Sequence, residues 1–358
     1  MKAHPTYDIE RSYEDNYKEG PFLDITPPQR TVTPEHSFLD FQVNSLLGMP
    51  AGPLLNANWV IAYAKLGFDL LVYKTVRTEE RLCHPNPNCM YLSQKRQLRE
   101  IDFNRQLIGS MTPPDDASKI SITNSFGMPS RTPEIWQADI QKAKAGIGRG
   151  QLLIVSVVGT AGEMDLKSDY VRGAALAVEA GAPLIEINLS CPNVVSREGS
   201  IFTDADFSSQ ISKAVKQEIG EIPLIIKMGY IADPFKRALV ISANAPHVDA
   251  ISSINTLSFE VIDEEGEQAL PGEGRLRSGV CGAAIRACAL SQAEHLVALK
   301  KQHHYDFAII GVGGIMTTEH IKNYLDAGTD AVMSATGAMW DPLLAYRYWE
   351  ENTSNSNT

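Results

Sequence analysis

The stretch "DYVRGAALAVEAGAPLIEINLSCPNVV" (169–195) joins a helical pattern to a buried strand and then to a polar segment. Its first half carries apolar residues at helical spacing and ends on Gly181, a residue typical of helix C-termini. The following run, "PLIEINLS" (183–190), is apolar almost throughout, as is typical of a strand that is covered on both faces. A helix followed by such a strand is the repeating unit of a parallel α/β sheet.

The same unit recurs along the chain, and with 183–190 it gives eight apolar runs separated by helical segments. This number predicts an α/β fold, specifically a (β/α)8 TIM barrel with right-handed crossovers. A further run, "SKISIT" (118–123), is left out of the predicted barrel because Pro113 and Pro114 precede it and Pro129 follows it. The other seven runs are "LLGMPAG" (46–52), "FDLLVYKT" (68–75), "LLIVSVVG" (152–159), "PLIIKM" (223–228), "VDAISSIN" (248–255), "FAIIGVGG" (307–314) and "DAVMSATG" (330–337).

The predicted organisation is an N-terminal arm over 1–36, a single barrel over 37–350 with a long insertion around 79–130, and a disordered tail over 351–358. The composition, with 44% hydrophobic and 21% charged residues, is that of a soluble globular protein. A net charge of −11 without a basic stripe argues against a nucleic-acid partner. Five cysteines without a C-x-x-C pair predict free thiols, no metal site and a reducing compartment. Since no apolar segment is long enough to span a membrane, we predict a cytoplasmic protein without a membrane partner.

Polar residues cluster where the predicted strands stop, at positions that meet at the C-terminal mouth of a barrel. Lys74 and Lys227 each end a buried run and must face an anion or an electron-rich ring, because unpaired burial is costly. The last two strands end in "GVGG" (311–314) and "SATG" (334–337), where barrels commonly hold a phosphate. No G-x-G-x-x-G follows an early strand, so the pattern favours FMN in the barrel mouth over a Rossmann dinucleotide site.

Cys191 follows the strand over 183–190 and lies between two amides, Asn188 and Asn193. A lone thiol after a strand is more often a small buried hydrophobe than a catalyst, and both amides could be turn formers. In the functional interpretation, a thiol with an ordinary pKa of about 8.5 acts as a base near neutral pH. Amides would then hold a ring that bears both carbonyl and N–H groups. Taken alone, these three residues leave both interpretations open.

Several segments resemble, in the same order, those of the dihydroorotate dehydrogenase family, in its soluble branch with a cysteine base. "NLSCPNV" (188–194) is similar to the family signature and also resembles that of dihydropyrimidine dehydrogenase, while "NSFGMPS" (124–130) resembles the "NSMGLPN" substrate loop. The resemblance runs from about Ser37 to about Pro342. The other matching segments are "GMPAG" (48–52), "YKTV" (73–76), "HPNPN" (84–88), "IIKM" (225–228), "INT" (254–256), "SGVCGAAI" (278–285), "GVGG" and "SATG".

This resemblance implies FMN-dependent oxidation of dihydroorotate to orotate in pyrimidine biosynthesis, the route to UMP. Cys191 would take a proton from the dihydropyrimidine ring while a hydride passes to FMN. The implied substrate-binding residues are Lys74, Asn124, Gly127, Met128, Asn188, Asn193, Asn255 and Thr256. The implied cofactor-binding residues are Ala51, Gly52, Lys74, Thr75, Asn188, Lys227, Gly279, Gly313, Gly314, Ala335 and Thr336.

The resemblance also implies a homodimer and leaves the electron acceptor as either fumarate or a partner electron-transfer subunit. The loop after Cys191 lacks the "PGKPQ" of the fumarate-using branch. Ser130 stands where the family loop ends in Asn, so another dihydropyrimidine-like substrate stays as an alternative. Asn193 favours orotate, because dihydropyrimidine dehydrogenase has His at the matching position.

Two further alternatives belong to other functional classes. The first is a flavin-binding protein without turnover, against which the intact Cys191, the amides and the two lysines argue. The second is a Schiff-base aldolase on the same barrel, which could use Lys227 but has no need of Cys191.

Overall fold

The computed structural model describes residues 5–94, 96–162, 164–190 and 201–356. Its strands, numbered in chain order, are β1 (His36–Phe38), β2 (Phe41–Val43), β3 (Leu47–Met49), β4 (Leu70–Val76), β5 (Cys89–Leu92), β6 (Gln106–Ser110), β7 (Ser121–Asn124), β8 (Leu152–Val157), β9 (Leu184–Asn188), β10 (Leu224–Met228), β11 (Ala250–Ser253), β12 (Leu257–Ile262), β13 (Arg277–Gly282), β14 (Ala308–Val312) and β15 (Ala331–Met333). Its α-helices are α1 (Tyr13–Glu19), α2 (Ala57–Lys65), α3 (Pro133–Gly146), α4 (Leu166–Glu179), α5 (Ala205–Ile219), α6 (Pro234–Asn244), α7 (Arg286–His303), α8 (Thr318–Asp326), α9 (Thr336–Trp340) and α10 (Leu344–Ser356).

Eight parallel strands close into a barrel in the order β3-β4-β8-β9-β10-β11-β14-β15. Each of the eight predicted apolar runs coincides with one of these strands, although β4 extends one residue beyond its run, so the predicted (β/α)8 barrel is confirmed. Every residue of β4, β8, β9 and β10 is buried, because helices cover the outside of the barrel and side chains fill its interior. The near-continuous apolar composition of the runs follows from this double burial.

The helices that return the chain to the next strand begin and end on sequence signals. Asp165, Asp204 and Asp233 each accept hydrogen bonds from backbone N–H groups in the first turn of α4, α5 and α6. Gly181 and Gly328, the predicted helix stops after α4 and α8, have φ values of +89° and +97°. Glycine adopts such angles without strain, and the chain can therefore turn sharply into β9 and β15.

The N-terminal end of the barrel is closed by the hairpin of β1 and β2. Phe38 and Val43 from this hairpin are buried in one cluster with Leu70, Leu152 and Leu184 at the first positions of three barrel strands. Because this end is filled with apolar side chains, polar chemistry is confined to the opposite, C-terminal mouth.

The long insertion predicted around 79–130 contains three strands. β5, β6 and β7 close with β12 and β13 into a second, five-stranded sheet. "SKISIT" therefore does form a strand, β7, which pairs with β5 and β13 and lies outside the eight-stranded barrel. Since the insertion follows β4 and the strands β12 and β13 follow β11, both parts of this sheet extend from C-terminal ends of barrel strands.

The N-terminal arm is bound to the barrel by specific hydrogen bonds. The Thr6 backbone N–H donates to the Met339 carbonyl at 2.9 Å, and the Trp59 Nε1–H donates to the Asn16 carbonyl at 3.3 Å. At the other end of the chain, α10 continues to Ser356. Residues 351–356 thus lie in a helix, in contrast to the disordered tail expected from their polar composition, because Thr318 and Lys322 of α8 bond the Glu351 carboxylate.

Candidate active site

One cavity lies at the C-terminal mouth of the barrel, between the strand ends, the second sheet and the N-terminal arm. Most of the residues predicted from the sequence lie along its wall. Cys191 and Asn193, the predicted base and one of the amides, lie outside the described residues. The predicted residues that line the cavity are Ala51, Gly52, Lys74, Thr75, Asn124, Met128, Asn188, Lys227, Asn255, Thr256, Gly313, Gly314, Ala335 and Thr336.

Gly127 and Gly279 were also predicted to contact ligands, and neither lines the cavity. A Cβ at Gly127 would overlap the imidazole ring of His84, so this glycine allows the loop to pack against its neighbour. The Gly279 carbonyl, on β13, accepts from the Asn124 Nδ2 at 3.2 Å. The two glycines thus help to fix the position of the Asn124 loop without themselves lining the cavity.

The two strand-end lysines are buried at the floor of the cavity. Lys74 is 8% exposed at the end of β4, and Lys227 is 4% exposed near the end of β10. The Lys227 Nζ donates to the Ala51 carbonyl at 3.4 Å, which orients the ammonium toward the loop after β3. Two buried cations on one cavity favour a ligand with negative charge or an electron-rich ring.

The amides of the cavity are held in place by one another. The Asn255 Nδ2 donates to the Ser190 carbonyl at 2.6 Å and to the Asn188 Oδ1 at 3.3 Å. The Asn188 Oδ1 also accepts from the Ser190 backbone N–H, and the Tyr170 hydroxyl holds the Asn188 carbonyl at 2.7 Å. Because each amide is oriented by its neighbours, the set is preorganised to bind a planar polar ring.

The ends of β14 and β15 form a tight backbone cradle. Gly314 has φ +67°, and a Cβ there would lie 2.6 Å from the Arg286 Cα and 2.7 Å from the Arg286 N. Ser334 accepts from the Ala338 N–H and donates to the Ile315 carbonyl, so the two strand ends are tied together. Closely packed, glycine-rich backbone of this kind can present its N–H groups to a phosphate.

We expect Gly314→Ala to destabilise the protein by roughly 3 kcal/mol or more, because a strained φ and a clash with backbone act together. Gly266→Ala is the matched control, since Gly266 has φ +89° with no atom within 4 Å of a Cβ. In the control, only backbone strain should lower the free energy of unfolding, by about 1–3 kcal/mol. Thermal unfolding of both variants provides the measurement, and equal losses would show that the cradle is not tightly packed.

The cysteines that the structure describes are poor candidates for a base. Burial raises the pKa of the Cys281 thiol, which lines the cavity, to about 11. Burial also raises the pKa values of Cys83 and Cys288 to about 11, and that of Cys89 well above its ordinary value. These thiols are therefore protonated near neutral pH, and Cys191 is left as the thiol to be tested as a base.

Two cavity residues come from a part of the chain in which the sequence offered no motif. Tyr7 and Tyr13 of the N-terminal arm line the cavity, and both rings pack against Phe126 of the Asn124 loop. Burial raises the pKa of Tyr7, so that its hydroxyl stays protonated. The arm is thus part of the cavity wall, a fact that no local pattern in 1–36 indicates.

Ser130, the main departure from the family loop, does not line the cavity. Its hydroxyl accepts from the Arg77 backbone N–H at 3.0 Å and donates to the Arg131 carbonyl at 2.9 Å. The serine is therefore occupied in holding the chain beside the loop, and its hydroxyl is not among the polar groups of the described cavity wall.

A buried arginine fixes the loops on the side of Asn124. Arg275 is 3% exposed, and its guanidinium donates to the carbonyls of Pro85, Pro87 and Ser125. It also donates to the Asn88 Oδ1 at 3.2 Å and to the Pro271 carbonyl. A planar fork with five N–H groups can join all of these acceptors, whereas a lysine ammonium cannot.

Arg275→Lys is expected to lower the free energy of unfolding by roughly 2–4 kcal/mol, because several buried carbonyls lose their donor. Arg277→Lys is the matched control, since Arg277 is exposed and its guanidinium bonds only Ser258 within the described residues. The control should change stability by less than about 0.5 kcal/mol. Urea unfolding of both variants measures the difference, and similar small losses would contradict the assigned role.

Among the described residues, no group of three or more His, Cys, Asp or Glu side chains is placed to hold a metal ion. None of the helices in the described part of the chain has the length and apolar character that crossing a membrane requires.

Comparison with known proteins gives one family. The family model described as "Dihydroorotate dehydrogenase" matches residues 35–347. The chain is 41% identical to a dihydroorotate dehydrogenase of Dictyostelium discoideum, over 98% of each chain. It is also 34% identical to the catalytic subunit of a dihydroorotate dehydrogenase B (NAD(+)) of Maridesulfovibrio salexigens, over 49% of this chain and 55% of that protein.

Among solved structures, the crystal structure of the dihydroorotate dehydrogenase of Eimeria tenella in complex with ferulenol superposes with a TM-score of 0.70. The match covers 93% of this chain and 88% of the Eimeria chain at 18% sequence identity, and it supports the fold. The ligand-free Eimeria structure gives a TM-score of 0.71. Full-length sequence similarity, the family model and the barrel with its polar mouth agree, and the chain belongs to the dihydroorotate dehydrogenase family.

Proposed function

We propose that the chain oxidises dihydroorotate to orotate in pyrimidine biosynthesis, with FMN bound in the barrel mouth and Cys191 as the base. The observation that carries this proposal is the convergence of two buried lysines and three oriented amides on one cavity. The amides are Asn124, Asn188 and Asn255, and the lysines are Lys74 and Lys227.

The cavity suits FMN in three respects. The cradle at Gly313, Gly314 and Thr336 can hold the phosphate through backbone N–H groups and a hydroxyl. Apolar wall residues can contact the faces of a flat ring, and the buried Lys227 ammonium would lie at its electron-rich edge. When bound, FMN supplies the acceptor for the hydride. The apolar wall includes Pro50, Ala51, Ile254, Val312 and Met333.

The amides and Lys74 would hold the substrate ring. Within the described contacts, the Asn188 Nδ2 keeps one N–H for a ring carbonyl, while the Oδ1 atoms of Asn124 and Asn255 keep lone pairs for ring N–H groups. Together these groups would fix the ring in one orientation. Cys191 follows Asn188 by three residues in the sequence and is the proposed base. Removal of the proton by the Cys191 thiolate leaves the ring ready to lose a hydride.

The acceptor that reoxidises the flavin, the oligomeric state and the location are further parts of the proposal. The acceptor is fumarate or a partner electron-transfer subunit, and steady-state assays with each will separate them.

A homodimer is supported by exposed large apolar side chains in or beside strands of the second sheet. Sedimentation of the purified protein can test this oligomeric state. These side chains are Ile108, Met111 and Leu276. The reducing environment required by free thiols supports a cytoplasmic location, which fractionation can test.

Ligand titration of the apoprotein tests the cofactor directly. The fluorescence of FMN should be quenched when it binds to the protein, and the titration gives its affinity. Riboflavin, which lacks the phosphate, should bind at least a hundredfold more weakly than FMN. A difference of this size corresponds to about 2.7 kcal/mol, as expected for a lost set of hydrogen bonds to a charged group. Equal binding of the two flavins would contradict the phosphate cradle, and binding of neither would contradict the proposal.

A further inference from the structure

Glu186 is a carboxyl group in the interior of the barrel with no evident use in the proposed chemistry. It is fully buried in the middle of β9, at 0% exposure, and its cross-strand neighbours are Ser156 on β8 and Ile225 on β10. Within the described residues, neither of its carboxyl oxygens has a hydrogen-bond partner. Because side chains alternate along a strand, Glu186 points to the same side as Asn188, toward the barrel axis and below the cavity.

A second buried polar side chain lies two strands away in the barrel. Ser252 on β11 is also at 0% exposure, and its Oγ lacks a partner within the described residues. The strand register relates both groups to Lys227, one as a direct neighbour and the other as a diagonal neighbour. Ser252 pairs with Lys227 across β10 and β11, while Glu186 pairs with Ile225, two residues before Lys227 on the same strand. Two buried groups that lack a hydrogen-bond partner among the described residues therefore flank β10, the strand that carries Lys227.

Lys227 itself is incompletely satisfied by the contacts described above. Its ammonium has three donors, and its hydrogen bond to the Ala51 carbonyl is long, at 3.4 Å. Glu186 is its diagonal neighbour on the adjacent strand, a spacing that long side chains can cross. A buried cation and a buried carboxyl in this relation stabilise each other even without direct contact, because the interior screens charges weakly.

We propose that Glu186 is a positioning residue that acts as the buried counter-charge of Lys227, and that it sets the electrostatic potential at the flavin edge. This inference rests on the proposed binding of FMN. With Lys227 above and Glu186 below, a negative charge lies under the ammonium that faces the flavin edge. Reduction adds negative charge to the flavin, and Glu186 therefore makes reduction less favourable than the Lys227 ammonium would without it.

The contrasting role for Glu186 is purely structural, as a side chain that fills space in the barrel. The isosteric change Glu186→Gln separates the two, because it removes a charge and keeps the volume. If the carboxylate acts through its charge, the flavin potential must change. If it only fills space, stability can change while the potential does not.

The experiment is a spectroelectrochemical titration of the FMN-loaded protein. Glu186→Gln should shift the equilibrium toward reduced flavin by about tenfold, the effect of one charge at roughly 10 Å with an effective dielectric constant of about 20. For a two-electron couple, tenfold corresponds to about +30 mV. Glu186→Asp and Ser252→Ala, which retain the charge, should change the equilibrium less than threefold. An unchanged potential in Glu186→Gln would overturn the proposal.

A second measurement is independent of the flavin. In a double-mutant cycle on the unfolding of the apoprotein, Glu186→Gln and Lys227→Met should be coupled by at least a fivefold factor in the unfolding equilibrium constant. Additive effects would overturn the pairing of Glu186 with Lys227. If the wild-type protein fails to bind FMN, the proposed function fails, while this cycle still decides whether the two residues interact.

Discussion

Replacement of Cys191 by alanine is expected to slow the reduction of bound flavin by dihydroorotate by more than a hundredfold. The FMN content should stay at the wild-type level. General-base catalysis contributes about 10²–10⁴ to a rate, and alanine cannot accept the proton from the ring. The thiols that the structure describes cannot substitute, because burial raises their pKa values and keeps them protonated.

Anaerobic stopped-flow measurement of the flavin absorbance gives this rate under single-turnover conditions. Cys83→Ala is the matched control, since Cys83 is half-buried and does not line the cavity. The control should be reduced at the wild-type rate. Wild-type reduction in Cys191→Ala would remove the assigned role and return Cys191 to the alternative of a small, inert side chain.

Lys227→Met is expected to weaken FMN binding by about a hundredfold. Removing a buried, hydrogen-bonded charge from a binding site typically costs 2–5 kcal/mol, and a hundredfold loss corresponds to about 2.7 kcal/mol. Methionine keeps much of the length and apolar stem of lysine, so the barrel interior stays filled. The loss should therefore appear in cofactor affinity more than in folding.

Fluorescence titration of the apoprotein with FMN measures this affinity. Lys236→Met is the control for net charge, because Lys236 is exposed on α6 and does not line the cavity. It should bind FMN like the wild-type protein. A Lys227→Met variant that binds FMN with wild-type affinity would count against the placement of the flavin edge at this lysine.

The barrel could be predicted from the sequence because its strands are buried on both faces. Double burial makes "LLIVSVVG" and "PLIIKM" apolar throughout, and the positive-φ glycines at 181 and 328 separate helix from strand. The site could be placed for the same reason. Polar residues such as Lys74 and Asn188 stand out at the end of an apolar run, and the topology brings such ends together.

The second sheet could not be predicted, because its pairing is not local. β7 pairs with β13, which lies more than 150 residues later in the chain, and short strands at such distances leave no periodic signal. The contribution of Tyr7 and Tyr13 to the cavity depends on how the arm folds over the barrel, which its composition does not encode. The helical state of 351–356 depends on contacts of Glu351 with α8 that have the same non-local character.

The barrel mouth is proposed to bind FMN and to take a hydride from dihydroorotate. The most direct test is anaerobic addition of dihydroorotate to the purified, FMN-loaded protein while the visible absorbance of the flavin is followed. We predict that the absorbance bleaches and that orotate is formed in an amount equal to the reduced flavin. A yellow protein that does not bleach would contradict the account and would favour another dihydropyrimidine-like substrate or a flavoprotein without turnover.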